Sequence, residues 1–289
     1  MSKAIKFSLL SYLFIIGLVL LFLAIGGSYD GLKASILGAA CMFVPLLSVM
    51  IMQCLSNEPL LKGIGCSWCI NRWWFVGWLF VPLFVLATIA VSSLMPGVQF
   101  TTQSPLVTDV LHHMSQVLPQ GVHVGWGLFM CFTFVNALIA GLTINALFAF
   151  GEEVGWRGYL LRALSGYSFF PRALLTGVIW GLWHAPLILL GHNYPSHPVL
   201  GIFMMVVFCV GLSPLLQYLR LKSRSVIAVA IAHGTLNAFA GLPLLCLDGY
   251  DELLTGVSGL AGFIVLAVSY LLLFLYDKYL SKEHLLASS

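Results

Sequence analysis

Residues 127–157 read GLFMCFTFVNALIAGLTINALFAFGEEVGWR. From Gly127 to Phe150 there is no Asp, Glu, Lys or Arg. At about 1.5 Å per residue, a helix of that length outspans a hydrocarbon core of roughly 30 Å. The rest of the chain is built the same way. Of its 289 residues 60% are hydrophobic and only 8% charged, against about a quarter charged in an ordinary soluble domain. A mean hydropathy of +1.01 says that lipid solvates most of the surface. This excludes a soluble enzyme, a disordered tail and a secreted disulfide scaffold. The net charge of +3 is too small and too scattered for a nucleic-acid footprint, so no nucleic-acid partner is expected.

Working outward, eight apolar runs emerge, bounded near Ile5–Ile25, Ala34–Leu55, Trp73–Leu94, Gly127–Phe150, Ala173–Leu190, Val199–Leu219, Val226–Leu247 and Gly256–Tyr276. The reading is an all-α, polytopic membrane helical bundle of about eight transmembrane helices. With a cytoplasmic N-terminus, Lys3, Lys6, Lys62, Arg72, Arg157, Arg162, Arg172, Arg220, Lys222, Arg224, Lys278 and Lys282 fall inside and Lys33 alone outside. The N-terminus and C-terminus are therefore both expected to be cytoplasmic. The first run exceeds the 7–15 residues of a signal-peptide core, so it is expected to be retained. No long repeat or linker appears, and residues 1–289 read as one membrane domain with a motif-bearing core at about 126–247. The seven cysteines sit mostly in spans; Cys66-Ser67-Trp68-Cys69 lacks the second pair of a structural zinc site.

Ionisable groups inside spans are costly unless paired or facing a wet cavity, so each is a functional candidate. Three runs carry them: Glu152 and Glu153, then His184, then His233 with Asn237. Glu153 and Arg157 stand four apart in the favourable ion-pair order, whereas Glu152 points about 100° away and is expected to have no intrahelical partner. Asn145 shares the Glu152 face. Gly177 and Gly181 precede His184 on one face, and Pro186 predicts a kink there. His233, Asn237 and Gly241 make a polar stripe ending in a small residue expected to pack closely. Counted at 1.5 Å per residue, His184 lies about 18 Å and His233 about 13 Å from the basic end, while Glu152 lies nearer Arg157. These depths agree only if the fourth helix runs past Arg157 or Arg157 is itself buried.

Glu152-Glu153-x-x-x-Arg157, Trp180-x-x-x-His184 and His233-x-x-x-Asn237, in this order, resemble the three motifs of the CAAX protease and bacteriocin-processing (CPBP, or Abi) family of intramembrane endopeptidases, which includes the Ras-converting CAAX prenyl endopeptidases. The resemblance covers Phe150 to Ala240. Trp180 departs from it, standing where the family commonly has Phe. The resemblance implies a general base, Glu152, aided by His184 in activating water, with an oxyanion site of His233 and Asn237 and support from Glu153, Arg157 and the aromatic wall of Trp180. It also implies a peptide or membrane-protein substrate, prenylated at a CAAX terminus or bacteriocin-like. The compact loops without retention signals lead us to expect a prokaryotic plasma membrane, with the site opening toward its cytoplasmic half. Glu152, His184 and His233 form a candidate set for one Zn2+, although no H-E-x-x-H occurs and a metal-free glutamate-activated water serves equally. A proton- or metal-coupled transporter is the alternative reading of such interior groups, and a catalytically idle scaffold a third. Oligomeric state is not legible.

Overall fold

The structure, a computed structural model, describes residues 2–117, 119 and 123–286. Fourteen helical segments account for the described architecture: α1 (Lys3–Ala24), α2 (Gly31–Met42), α3 (Val44–Leu55), α4 (Arg72–Ser92), α5 (Pro105–Val117), α6 (Trp126–Leu142), α7 (Ile144–Glu153), α8 (Leu161–Ala163), α9 (Phe169–Trp183), α10 (Ala185–Ile188), α11 (Pro198–Ser223), α12 (Val226–Phe239), α13 (Leu242–Cys246) and α14 (Leu260–Tyr279). A π-helical stretch, Val154–Leu160, joins α7 to α8. Two short strands, β1 (Gln99–Phe100) and β2 (Leu247–Asp248), pair antiparallel with Gln99 opposite Asp248. Helices dominate because lipid offers backbone amides no partners, so each segment must satisfy its own. Their starts are set locally. Ser2, Asn71 and Ser225 accept from the backbone N–H of Ile5, Trp73 and Ile227, and Arg224 in the left-handed region (φ 56°) closes α11.

Six helices among the described residues are long and apolar enough to cross a membrane, counting α2 with α3 and α12 with α13 as continuous. The bent pair Trp126–Leu142 and Ile144–Ala163, at 43°, makes a seventh if taken as one span. The remaining expected run is split: α9 has 15 residues and stops at Trp183, with α10 following His184. This is the predicted kink, where Pro186 cannot continue the ladder.

The centre is α12, packed on α4, α6 and α7, while α9 runs along α11. Small residues permit both approaches. A Cβ on Gly181 would lie 2.6 Å from Val206 Cα, and one on Gly234 would lie 2.5 Å from the Ala146 nitrogen. Gly241, expected to pack closely, has nothing within 4 Å of its Cβ position. It follows the end of α12 and lines open space, so the close-packing role passes to Gly234.

Contacts define the two ends of the bundle. At one, Glu58 bonds Lys3 and Arg162, Arg220 bonds the Ile64 carbonyl, Arg72 bonds Tyr276, and Lys222 bonds Ser281. At the other, Tyr29 meets His192, Tyr194 bonds the Ser258 carbonyl, and Glu252 accepts from Ser196. Arg157 belongs to neither end. It is 1% exposed inside the bundle, and the fourth span continues past it to Ala163, so the basic end holds eleven of the twelve predicted residues at most. Both conditions that reconcile the depths of Glu152 and the histidines are met.

Candidate active site

Glu152 and Glu153 lie at the C-terminal end of α7, before the π-helical stretch; His184 at the α9–α10 break; His233 and Asn237 on α12. Glu152 is almost fully buried. Its Oε2 accepts from Trp180 Nε1 at 2.8 Å and from Trp156 Nε1 at 3.2 Å. This corrects the expectation that Glu152 has no intrahelical partner: Trp156 is one, four residues on, and a search for charges alone passes over it. Its signal in the sequence is an indole at i+4 from an interior carboxylate. Glu152 Oε1 makes no hydrogen bond among the described residues.

Glu153 does what the helix spacing assigns it. Its Oε1 accepts from Arg157 Nη1 at 2.8 Å and also from His233 Nδ1 at 2.8 Å. Arg157 continues to Ser213 Oγ at 3.3 Å, and its guanidinium carbon lies 4.4 Å from the Trp180 ring centroid. Arg157 is therefore neutralised by Glu153 and capped by an aromatic face, the arrangement that lets a guanidinium reside in an apolar interior. Trp180, read as a wall, also rings His233 at 5.3 Å and His184 at 5.8 Å.

His184 Nδ1 is 2.9 Å from the Trp180 carbonyl oxygen. A carbonyl only accepts, so Nδ1 carries the proton, and in the neutral ring Nε2 is left as an acceptor. In His233, Nδ1 faces a carboxylate, so Nε2 is again the atom left for a reacting group. Asn237 has no hydrogen bond among the described residues and is exposed into the cavity.

That cavity has a volume of about 720 Å³ and is lined by Glu152, His184, His233, Asn237, Asn145 and Trp180 at its deep end. All four expected catalytic residues face one space. Its other wall is formed by Ser35, Gly38, Gly191–Pro195, Tyr250 and Glu252, so it reaches the surface at the end of the bundle opposite Lys3, Arg162 and Arg220. His192 lines this mouth and bonds Tyr29 at 2.7 Å. A second, apolar groove of about 430 Å³ lies between α4, α11, α12 and α14 and shares His233 and Leu236 with the first.

Among the described residues no three His, Cys, Asp or Glu side chains gather to hold a metal ion. Glu152, His184 and His233, the expected zinc set, are therefore not gathered around one point, although Glu152 Oε1 and the Nε2 atoms of both histidines are the atoms that their hydrogen bonds leave over. Chemically, the site offers a carboxylate held by neutral donors, an imidazole acceptor, and donors on a third helix.

Such a site, walled into a bundle of membrane-spanning helices, has the parts of an intramembrane hydrolase. Residues 133–239, which contain all three motifs, match the family model described as type II CAAX prenyl endopeptidase Rce1-like. Over 113 residues the chain is 34% identical to CAAX prenyl protease 2 of Methanococcus maripaludis. The match takes in 37% of this chain and 41% of that protein, well short of its full length. The similarity to CAAX prenyl endopeptidases read from the motifs is thus present in the segment that carries Glu152, His184, His233 and Asn237 at the deep end of the cavity.

Proposed function

We propose that the chain is an intramembrane endopeptidase that hydrolyses a peptide bond in a hydrophobic peptide or membrane-protein client, either at a CAAX-type C-terminus, prenylated or not, or in a bacteriocin-like peptide. The observation that carries this is Glu152, a buried carboxylate fixed through Oε2 by two indoles with Oε1 left for a water in a cavity shared with His184, His233 and Asn237. Glu152 takes a proton from that water while His184 Nε2 accepts its second hydrogen bond. The hydroxide formed attacks the scissile carbonyl carbon. Negative charge then develops on the carbonyl oxygen, toward which the Asn237 amide donates and His233 Nε2 donates once the ring carries a second proton, while Glu153 orients that ring through Nδ1. Collapse breaks the C–N bond, and the proton held by Glu152 passes to the leaving amine. No step requires a metal.

The client's apolar portion fits the groove that meets the cavity at His233 and Leu236. We place the whole chain as one domain in a prokaryotic plasma membrane with both termini cytoplasmic, as the segregation of eleven basic residues from the opposite end supports.

The test is mass-spectrometric detection of cleavage by the purified protein on a panel of farnesylated CAAX peptides and unmodified hydrophobic peptides, beside Glu152→Gln, with and without chelator. Cleavage abolished by Glu152→Gln and indifferent to chelator is expected. Equal cleavage by the variant overturns the assignment of the base, and chelator sensitivity overturns the metal-free chemistry. If no peptide on the panel is cleaved, the protease reading falls.

A further inference from the structure

The cavity wall away from Glu152 carries a carboxylate that the hydrolytic chemistry does not use. Glu252 lies in the loop between β2 and α14 and lines the cavity with Tyr250 and Asn193. Its side chain is only 10% exposed, and two contacts hold it there, both on Oε1: the Ser196 backbone N–H donates at 2.8 Å, and His197 Nδ1 lies at 3.2 Å. Oε2 has no hydrogen-bond partner among the described residues. The neighbouring acids differ. Asp248 accepts from the Gly249 N–H, Asp251 accepts from those of Leu253 and Leu254, and neither lines the cavity.

Tying this loop to the start of α11 accounts for Oε1 but not for a charge, since a neutral amide would accept from Ser196 as well. A carboxylate this deeply covered loses most of its hydration, and only a counter-charge or further donors make that good. Neither is at hand. Among the described residues no Lys or Arg lines the cavity. Burial pushes the His192 imidazole, on the same wall, down to about 4, so that ring is neutral at pH 7. His197 in its neutral form donates through Nδ1 and leaves the charge on Glu252 uncompensated. The wall is also firmly built. Gly191 and Asn193 hold left-handed backbone, at φ 101° and 60°, and Tyr194 is fully buried with its hydroxyl on the Ser258 carbonyl at 2.8 Å.

We propose that Glu252 Oε2 and the Tyr250 ring form a subsite for a cationic side chain of the client, a Lys or Arg flanking the hydrophobic segment that carries the scissile bond. The ammonium or guanidinium supplies the missing counter-charge, and the aromatic face accommodates its alkyl stem. Glu152, the other carboxylate of the lining, is engaged by two indoles at the deep end, so the cation is held apart from the base. The apolar groove meets the cavity at His233 and Leu236 and includes neither Tyr250 nor Glu252. The client's apolar portion and its cation are therefore read at separate places, and an acidic flank is disfavoured by the same charge that attracts a basic one. This specificity rests on the protease reading.

The test uses the purified protein and an unmodified hydrophobic peptide that it cleaves, with Lys, norleucine or Glu placed in turn at successive positions on either side of the scissile bond. At the position that reaches the subsite, kcat/KM for Lys should exceed that for norleucine about three- to tenfold, with Glu below both. Glu252→Gln keeps an acceptor for the Ser196 N–H and should bring the Lys-to-norleucine ratio to about one. A merely structural residue would slow both peptides alike and leave that ratio unmoved. A second readout needs no variant: raising the salt from about 50 mM to about 500 mM should shrink the ratio of the unsubstituted protein. A Lys preference that survives Glu252→Gln, or no position at which Lys is preferred, overturns the subsite and leaves the protease reading standing. So does a ratio indifferent to salt, even where the variant fails to fold. Failure to cleave any peptide removes the protease reading itself, and the subsite with it.

Discussion

The indole N–H of Trp180 lies 2.8 Å from Glu152 Oε2 while its ring sits 4.4 Å from the Arg157 guanidinium carbon, and its own carbonyl oxygen accepts from His184. One residue therefore touches the carboxylate, the buried cation and an imidazole. Trp180→Phe keeps a ring against Arg157 and the backbone bond to His184 but deletes the donor to Glu152. A hydrogen bond to a charged group contributes about 1.5–3 kcal/mol. If it orients the base, kcat should fall about ten- to hundredfold with KM little changed. Steady-state kinetics on a cleaved peptide, with thermal unfolding to confirm the fold, checks this. An unchanged kcat would show that Trp156 alone suffices to fix the carboxylate.

Glu153 is held by Arg157 and His233 through the same oxygen, with Glu153 and Arg157 essentially inaccessible. Removing the cation alone strands a buried carboxylate, a loss of about 3–5 kcal/mol for pairs of this kind. Arg157→Met should therefore destabilise strongly, and Glu153→Gln combined with Arg157→Met should recover part of the loss. Detergent unfolding of the two single variants and the double gives the coupling directly. Additive losses would mean that the two charges are not energetically paired.

The sequence carries more of this site than of the bundle around it. Interior charges are so costly in lipid that Glu152, His184 and His233 stand out without any structure, and helix spacing alone separates the two glutamates. What spacing cannot supply is which neutral donors converge from other helices. Trp156 and Ser213 look like ordinary membrane residues until folding sets them beside Glu152 and Arg157. Span limits were legible where charge and Pro mark them, as at Arg72 and Pro198, and were misjudged at Phe150. There the charged Glu-Glu pair reads as a helix end, yet the helix continues because each carboxylate finds donors within the bundle. The opening of the cavity was least legible, since it depends on which loops close over the bundle.

The close approach of α9 to α11 at Gly181 holds the turn that ends in His184. An added Cβ would lie 2.6 Å from Val206 Cα, a backbone atom that can give way only by parting the helices. Gly181→Ala should cost about 1–3 kcal/mol as an overpacking change and lower activity by displacing the imidazole. Gly17→Ala, on α1 with nothing within 4 Å of the new atom, is the control and should be neutral or better. Thermal unfolding and peptide cleavage of both variants decide it, and equal stability of the two would mean that α9 has slack to retreat.

At the basic end, Glu58 accepts from Lys3 at 2.6 Å and from Arg162 at 2.7 Å, tying the start of α1 to the end of α8. These two donors hold its carboxyl below the ordinary carboxylate range. A folded-state pKa depressed in this way contributes stability that is present above the unfolded value, near pH 4, and is lost as pH falls through the folded value. Both partners are substantially exposed, so solvent and salt screen the pair and the effect is small. Glu58→Gln should lower Tm slightly at pH 7, and the gap to the unsubstituted protein should narrow as the pH drops below about 4 and as salt is raised. A gap that persists unchanged at low pH would show that Glu58 acts through packing rather than charge.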